Sequence, residues 1–437
     1  MLSIQEMKLI FSHPTGNANV RMAVNGLARA NLLYRFYTAI ACFPGTALFR
    51  ISSLRPFSEI RRRLFDEILK NLTVTFPWIE VGRLAASKGR ITKLIEHEKG
   101  LFCIDSVYKD IDKRVAISLR SACKDGVKAV YAFEDGASFS FREGKRLGLQ
   151  CLYDLPTGYW RASRDLLKSE HERWPDWVST LTGFQDSEVK LLRKDDELAL
   201  ADLIFVASTF TAETLKHYPG DLGRVKVIPY GFPPVIKEKD YRIITGCKPL
   251  KLLFVGKLTQ QKGLADLLAA VEPLSDDVEL TLIGQKGIED CKALDSALRK
   301  FTWIPGLPHH EILKHMREHD VLIFPSLFDG FGLVITEAMS QGTPVITTER
   351  TGGRDFIQHG QNGWLFNAGS VSELRASIRH LLHFPESIAE VGTNALITAR
   401  SRPWSVYSNE LNQAIISHLQ PVSKNSKIAS LHHGHEQ

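Results

Sequence analysis

Residues 324–342 read F-P-S-L-F-D-G-F-G-L-V-I-T-E-A-M-S-Q-G, an apolar run that ends in a glycine-punctuated loop and opens a helix. Val321 to Phe324 is a short buried-strand pattern bounded by Pro325, and Leu333, Ala338 and Met339 then recur at helical spacing. The element between them is a strand-to-helix turn. Gly330 and Gly332 remove the side chains that would keep a ligand off the backbone, so the amides of the first helical turn and the positive end of its dipole can face a phosphate. Glu337 follows Leu333 by four residues and returns to the same side of the helix, where a carboxylate accepts hydrogen bonds from the two hydroxyls of a ribose. Phosphate held by backbone beside a carboxylate for vicinal hydroxyls suits a nucleotide-activated compound, and it requires no metal.

The stretch closely resembles the donor site of retaining glycosyltransferases with two Rossmann-like domains (GT-B), the large group 1 family with a Glu, seven residues, Glu signature. In that family the second Glu binds the donor ribose, the first sits beside the donor sugar, and the amides between hold the diphosphate. Glu337 matches the second position, and Asp329, one methylene shorter, stands at the first. The resemblance implies donor contacts from Ser326, Gly330, Phe331, Gly332, Leu333 and Glu337.

Upstream, G-K-L-T-Q-Q-K-G places Lys257 and Lys262 on the loop after a strand at Lys251 to Gly256, where their ammonium groups can neutralise a diphosphate. The family usually shows Arg then Lys there. Lys262 matches, and Lys257 keeps the charge without the two-pronged contact. Strands at Val278 to Gly284, Phe301 to Gly306, Val321 to Ser326 and Pro344 to Thr348 complete a second parallel sheet. The resemblance runs almost continuously from Lys251 to Phe366.

The amino half matches in outline. Met7 to His13 reads as a first strand, followed by P-T-G-N-A-N-V-R and a helical pattern from Met22 to Leu33. The loop lacks G-x-G-x-x-G, which argues against a nicotinamide enzyme. By resemblance it faces the cleft, making Gly16 either a donor contact or a turn glycine. Strands at Ala129 to Phe133 and Gln150 to Tyr153 follow. The first leads into E-D-G-A, so Glu134 stands past the carboxyl end of a parallel strand, where open α/β sheets keep ligands. The family often has His there facing the donor sugar; Glu134 either takes that role, orients the acceptor or caps the next helix. Asp154 is a second acceptor-side candidate. Tyr159, Trp160, Trp174 and Trp177 suit sugar rings or helix packing alike. The pairs Asp195-Asp196 and Asp276-Asp277 read as solvated. From Arg55 to Lys70, Phe57, Ile60, Leu64, Ile68 and Leu69 share a helical face flanked by Arg61 to Arg63, a pattern for an anionic bilayer or a core-facing helix.

At 437 residues the chain is too long for one core, and 44% hydrophobic with 24% charged residues is an ordinary globular composition. No stretch is long and apolar enough to span a membrane, and the amino terminus lacks a signal-peptide layout. Six single cysteines read as free thiols in a reducing compartment, and a net charge of +6 fits anionic small molecules or a membrane surface better than nucleic acid.

The expected architecture is α/β GT-B: an acceptor-side domain over 1–231, a nucleotide-sugar domain over 232–402, a terminal helix over 403–420 crossing back onto the first, and a tail without fixed structure over 421–437. The expected activity is retaining, metal-independent and cofactor-free glycosyl transfer to a sugar, lipid or small-molecule acceptor, in cell-surface glycan or glycolipid synthesis. The setting is the cytoplasm or the inner membrane face. The expected catalytic set is Lys257, Lys262, Asp329, Glu337 and Glu134. A sugar phosphorylase and a non-catalytic nucleotide-sugar sensor are the alternatives.

Overall fold

The computed structural model describes residues 7–51, 63–242, 248–287 and 290–420. The first sheet is built from β1 (Lys8–Ser12), β2 (Leu33–Thr38), β3 (Thr73–Thr75), β4 (Val127–Phe133), β5 (Gln150–Leu155), β6 (Leu203–Val206) and β7 (Arg224–Val227). Their order is β3-β2-β1-β4-β5-β6-β7. The second sheet contains β8 (Leu250–Val255), β9 (Val278–Ile283), β10 (Thr302–Ile304), β11 (Val321–Phe324), β12 (Val345–Thr348) and β13 (Trp364–Phe366), ordered β10-β9-β8-β11-β12-β13. Every named pairing is parallel, with Ala129 opposite Gln150 and Leu322 opposite Val345 as examples of register.

The continuous apolar strands follow from burial on both faces. In β8, Leu252 and Phe254 enter one core cluster while Leu253 and Val255 enter the opposite one. In β1, Leu9 and Phe11 face one cluster and Ile10 the other. Strand order reverses direction at β1/β4 in the first sheet and at β8/β11 in the second. These are the topological switch points, and the loops leaving those four strands form the cleft.

Two chain segments cross between the lobes. The terminal helix Trp404–Leu419 packs on the helix Ala18–Arg29, where Ser408 Oγ donates to the Met22 carbonyl at 3.0 Å and Asn412 Nδ2 to the Gly26 carbonyl at 3.1 Å. The segment after β5 packs on the second lobe instead. Trp177 joins the core of the second sheet, and Trp174 Nε1 donates to Asp266 at 3.0 Å. These tryptophans pack helices and sheet, not sugar rings.

Several expected boundaries shift. The first helix runs Ala18–Arg29, not Met22 to Leu33, because Asn31 takes a left-handed φ of 57° that ends it and Leu33 starts β2. Of the expected helix over 55–70, residues 55–62 lie outside the described residues. The remainder is not a helix: Leu64 bridges to Cys42, and only Glu67–Leu69 forms a 3-10 turn. Arg63 is buried and ion-paired to Glu80, so it turns into the protein. No helix of the described residues is long and apolar enough to cross a membrane. The 421–437 segment also lies outside the described residues.

Candidate functional site

The second-lobe wall is built from the loops after β8 and β11. Gly332 has φ +81°, which L side chains rarely adopt, and it delivers the chain into the helix Leu333–Ser340. The first amides of that helix have no intrahelical partner. Gly332, Leu333 and Val334 all line a cleft of about 470 Å³, with Lys262 and Asp329 beside them. Lys262 Nζ is ion-paired to Asp329 Oδ2. Asp329 Oδ1 accepts the Phe331 amide at 3.1 Å, the two-residues-on bond that a short acidic side chain makes. The Phe331 amide is therefore already taken, a correction to the expectation that it faces the diphosphate.

Gln260 holds the lysine loop. Its buried amide donates to Glu170 at 2.8 Å and to Asp266 at 2.9 Å, and its Oε1 accepts the Ala265 amide at 2.9 Å. One turn beyond Leu333, Glu337 has a side chain only 22% exposed. No described residue donates a hydrogen bond to its carboxylate, and the nearest cationic candidate, His309 Nδ1, is 3.7 Å away. Burial alone pushes the Glu337 carboxyl up to about 7.

The first-lobe wall follows β1 and β4. His13 is buried, bonded to the Thr15 backbone, and set edge-on to Phe133 and Tyr108. Burial lowers its imidazole to about 4, leaving it uncharged at neutral pH. Glu134 faces the cleft, accepts the Thr157 hydroxyl at 3.0 Å and lies 3.4 Å from Lys194 Nζ. Burial raises its carboxyl, and Lys194 pulls it back. Asp135 next to it holds φ +72°, a strained backbone for a non-glycine residue. Glu197 stabilises that turn by accepting the amides of Asp135 at 2.9 Å, Ala137 at 3.1 Å and Ser138 at 3.2 Å. The helix after β4 is therefore capped by Glu197 together with Asp112, which accepts the Phe139 and Ser140 amides, and not by Glu134.

The cleft brings together Lys262, Asp329, Phe331, Gly332, Leu333 and Glu134, whereas Glu337, one helical turn past Leu333, is not itself among the lining residues. Other expected contacts lie elsewhere. Gly16 is buried under Phe65, whose Cζ is 2.6 Å from where a Cβ would stand, and its neighbours Asn17 and Asn19 line the cleft instead. Ser326 is fully buried and donates to the Gln261 carbonyl at 3.2 Å, so it joins the two loops from behind. Gly330 is where the lobes meet: a Cβ there would strike the Pro156 carbonyl, and its own carbonyl accepts Ser208 Oγ at 2.6 Å and Thr211 Oγ1 at 2.9 Å. Phe331 lies against Tyr230, with ring centroids 4.9 Å apart.

Lys257 is exposed and outside the cleft lining. Asp154 lies within β5, is 3% exposed and accepts the Tyr131 hydroxyl at 2.6 Å, which removes it from the acceptor wall. Asp195 is not solvated; it accepts Tyr159 Oη and Trp160 Nε1, each at 2.7 Å, and pairs with Arg161. One group among the described residues has metal-ligand spacing, His97, Glu98 and Asp186. Ser187, Lys190 and Lys194 already occupy its carboxylates, and none of the three lines the cleft. His13 and Gln260 escaped the sequence reading, although His13 follows β1 in the position that makes it legible.

Residues 238–396 match the family described as glycosyl transferases group 1. The chain carries a group 1 glycosyltransferase domain. The glycogen synthase of Mycobacterium tuberculosis is 32% identical over 253 residues, covering 55% of this chain and 57% of that protein. A D-inositol 3-phosphate glycosyltransferase of Pseudarthrobacter chlorophenolicus is 29% identical over 228 residues, covering 47% and 53%. The chain thus spans about half the length of these curated relatives. The fold extends further: sucrose-phosphate synthase from Thermosynechococcus elongatus superposes with a TM-score of 0.63 over 94% of this chain and 98% of that one, at 16% identity. Anabaena HepE in complex with UDP gives 0.60 over 94% and 100%, at 15% identity. The matched residues fall in the second lobe of a two-lobed GT-B fold.

Proposed function

We propose that this chain transfers a glycosyl group, with retention, from a nucleotide-diphosphate sugar on the second-lobe wall to a hydroxyl acceptor on the first. The observation that carries this reading is Glu337, a carboxylate largely withdrawn from water with no hydrogen-bond donor among the described residues. Such a group is costly unless a ligand completes it, and the vicinal hydroxyls of a ribose supply two donors. Its place one turn after Gly332 sets that ribose beside the amides of Gly332, Leu333 and Val334.

In transfer, the bond from the anomeric carbon to the diphosphate breaks, a bond to the acceptor oxygen forms, and the proton of the acceptor hydroxyl passes to the leaving diphosphate. Charge developing on the leaving diphosphate is met by the helix amides and by Lys262, which Gln260 and Asp329 hold ready before the donor arrives. Lys257, exposed on the same loop, reaches the diphosphate only by moving toward the cleft. These fixed dipoles and ammonium groups do the work of a divalent cation, and the reaction is metal-independent. Cys103, Cys123, Cys151 and Cys291 carry free thiols, which fits a reducing cytoplasm.

The test is a thermal-shift screen of uridine, guanosine and adenosine diphosphate sugars, followed by NMR of the anomeric configuration of the product. HepE was captured with UDP-glucose, so uridine is the first base to try. Donor turnover with a retained anomer supports the reading. Binding without turnover on any donor favours a sensor, and a requirement for inorganic phosphate as acceptor favours a phosphorylase.

A further inference from the structure

The two cleft walls differ in charge in a way that bears on the acceptor, and this inference rests on the transfer reading above. On the first-lobe side the cleft is lined by His13, Tyr108, Glu134, Asp135 and Thr157 among others. No Lys or Arg of that lobe lines the cleft among the described residues, and His13 is uncharged at neutral pH. The ammonium group behind this wall, Lys194, is shared among Glu134 at 3.4 Å, Asp135 at 3.9 Å and Asp186 at 3.3 Å, with its side chain 12% exposed. Asp135 additionally holds Arg193 at 3.0 Å and Lys190 at 3.7 Å. The cations are consumed in keeping two carboxylates at the cleft surface.

A phosphate placed here meets two carboxylates and no unshared cation of this wall, so the cost of taking it out of water is not offset. A sugar hydroxyl meets the opposite: Glu134 accepts a hydrogen bond from it, with the uncharged Tyr108 on the same wall. We infer that the acceptor is an uncharged, polyhydroxylated molecule, and that Glu134 is the residue that selects it by receiving a hydroxyl and repelling a phosphorylated analogue.

The experiment measures nucleotide release from UDP-glucose, or from whichever donor the screen returns, with glucose, fructose, myo-inositol and maltose and with the monophosphate of each. At least one neutral member is expected to raise turnover above the water rate, and to exceed its phosphate at least tenfold. The Glu134→Gln variant keeps the size and the Thr157 contact but removes the charge. It is expected to narrow the gap between neutral and phosphorylated partners at least fivefold, with thermal melting as a check on its fold. Phosphates that match or outrun their parents, a panel in which no neutral member accelerates turnover, or a gap unchanged by Glu134→Gln would each overturn the inference. Absence of donor turnover even with water would count against the transfer reading itself, so the two failures are distinguishable.

Discussion

On the second lobe Glu337 meets no hydrogen-bond donor among the described residues, whereas on the first lobe Glu197 accepts three backbone amides and the Tyr153 hydroxyl at 3.2 Å. Both carboxylates are withdrawn from water, and burial raises both, Glu337 to about 7 and Glu197 to about 8. Their surroundings assign them opposite tasks. Glu197 is completed by its own chain and shapes a turn; Glu337 is left for a partner the chain does not supply. Perturbed titration alone would not separate these roles, and the hydrogen-bond inventory does.

The contrast is broken most sharply at Lys262. Replacing it with alanine should lower kcat for donor turnover by a factor of roughly 100 to 1,000, as loss of one preorganised electrostatic group does, with stability changed by about 1 kcal/mol or less. A comparable loss of melting temperature would mean the lysine is structural. Glu197→Ala should behave in reverse, costing about 3 kcal/mol in urea unfolding because several polar groups lose their partner, while the folded fraction keeps its donor affinity.

Glu337→Ala should weaken donor binding by about 1.5 to 3 kcal/mol in calorimetry and leave unfolding nearly unchanged. Unaltered affinity would remove its assigned role. The pH dependence is smaller. The ionised form is the one that accepts two hydroxyls, so donor affinity should fall as pH drops through about 7, by no more than tenfold per unit, and Glu337→Gln should flatten the profile. The smallest effect is the one expected of chelation. Activity should survive EDTA, and loss restored only by manganese or magnesium would transfer the electrostatic role from peptide dipoles to a cation.

The legibility of the two lobes differs for a physical reason. Strands β8, β9, β11 and β12 are almost wholly buried, so apolar residues dominate their sequences, from the uninterrupted Val-Leu-Ile-Phe of β11 to β8 and β9, where Lys251, Glu279 and Thr281 interrupt the run. The turn into Leu333–Ser340 needs glycine at a positive φ, and Gly332 announces it. In the first lobe, β3 is a three-residue strand, Thr-Val-Thr, with no fully buried residue, and it carries little signal. The long helix Ile104–Lys124 carries Val107, Ile111, Val115 and Leu119 at a spacing of four, a helical signal with no chemistry-bearing motif beside it. Asp154 misled for a related reason: a carboxylate near a strand end faces a cleft or a core with equal ease from local sequence, and a tyrosine 23 positions away decided for the core.

By itself the sequence determined the parallel α/β layering, the glycine turn that exposes helix amides, and the spacing of Asp329 and Glu337, because strand burial, backbone conformation and helical pitch are local properties. The tertiary structure decided which of the charged groups are already spoken for. Lys262 and Asp329 are 67 positions apart, Gly330 and Ser208 are 122 apart, and Glu134 gains its lysine from a helix on another part of the lobe. Long-range packing alone brings such partners within reach, and whether a carboxylate is satisfied or waiting depends on them.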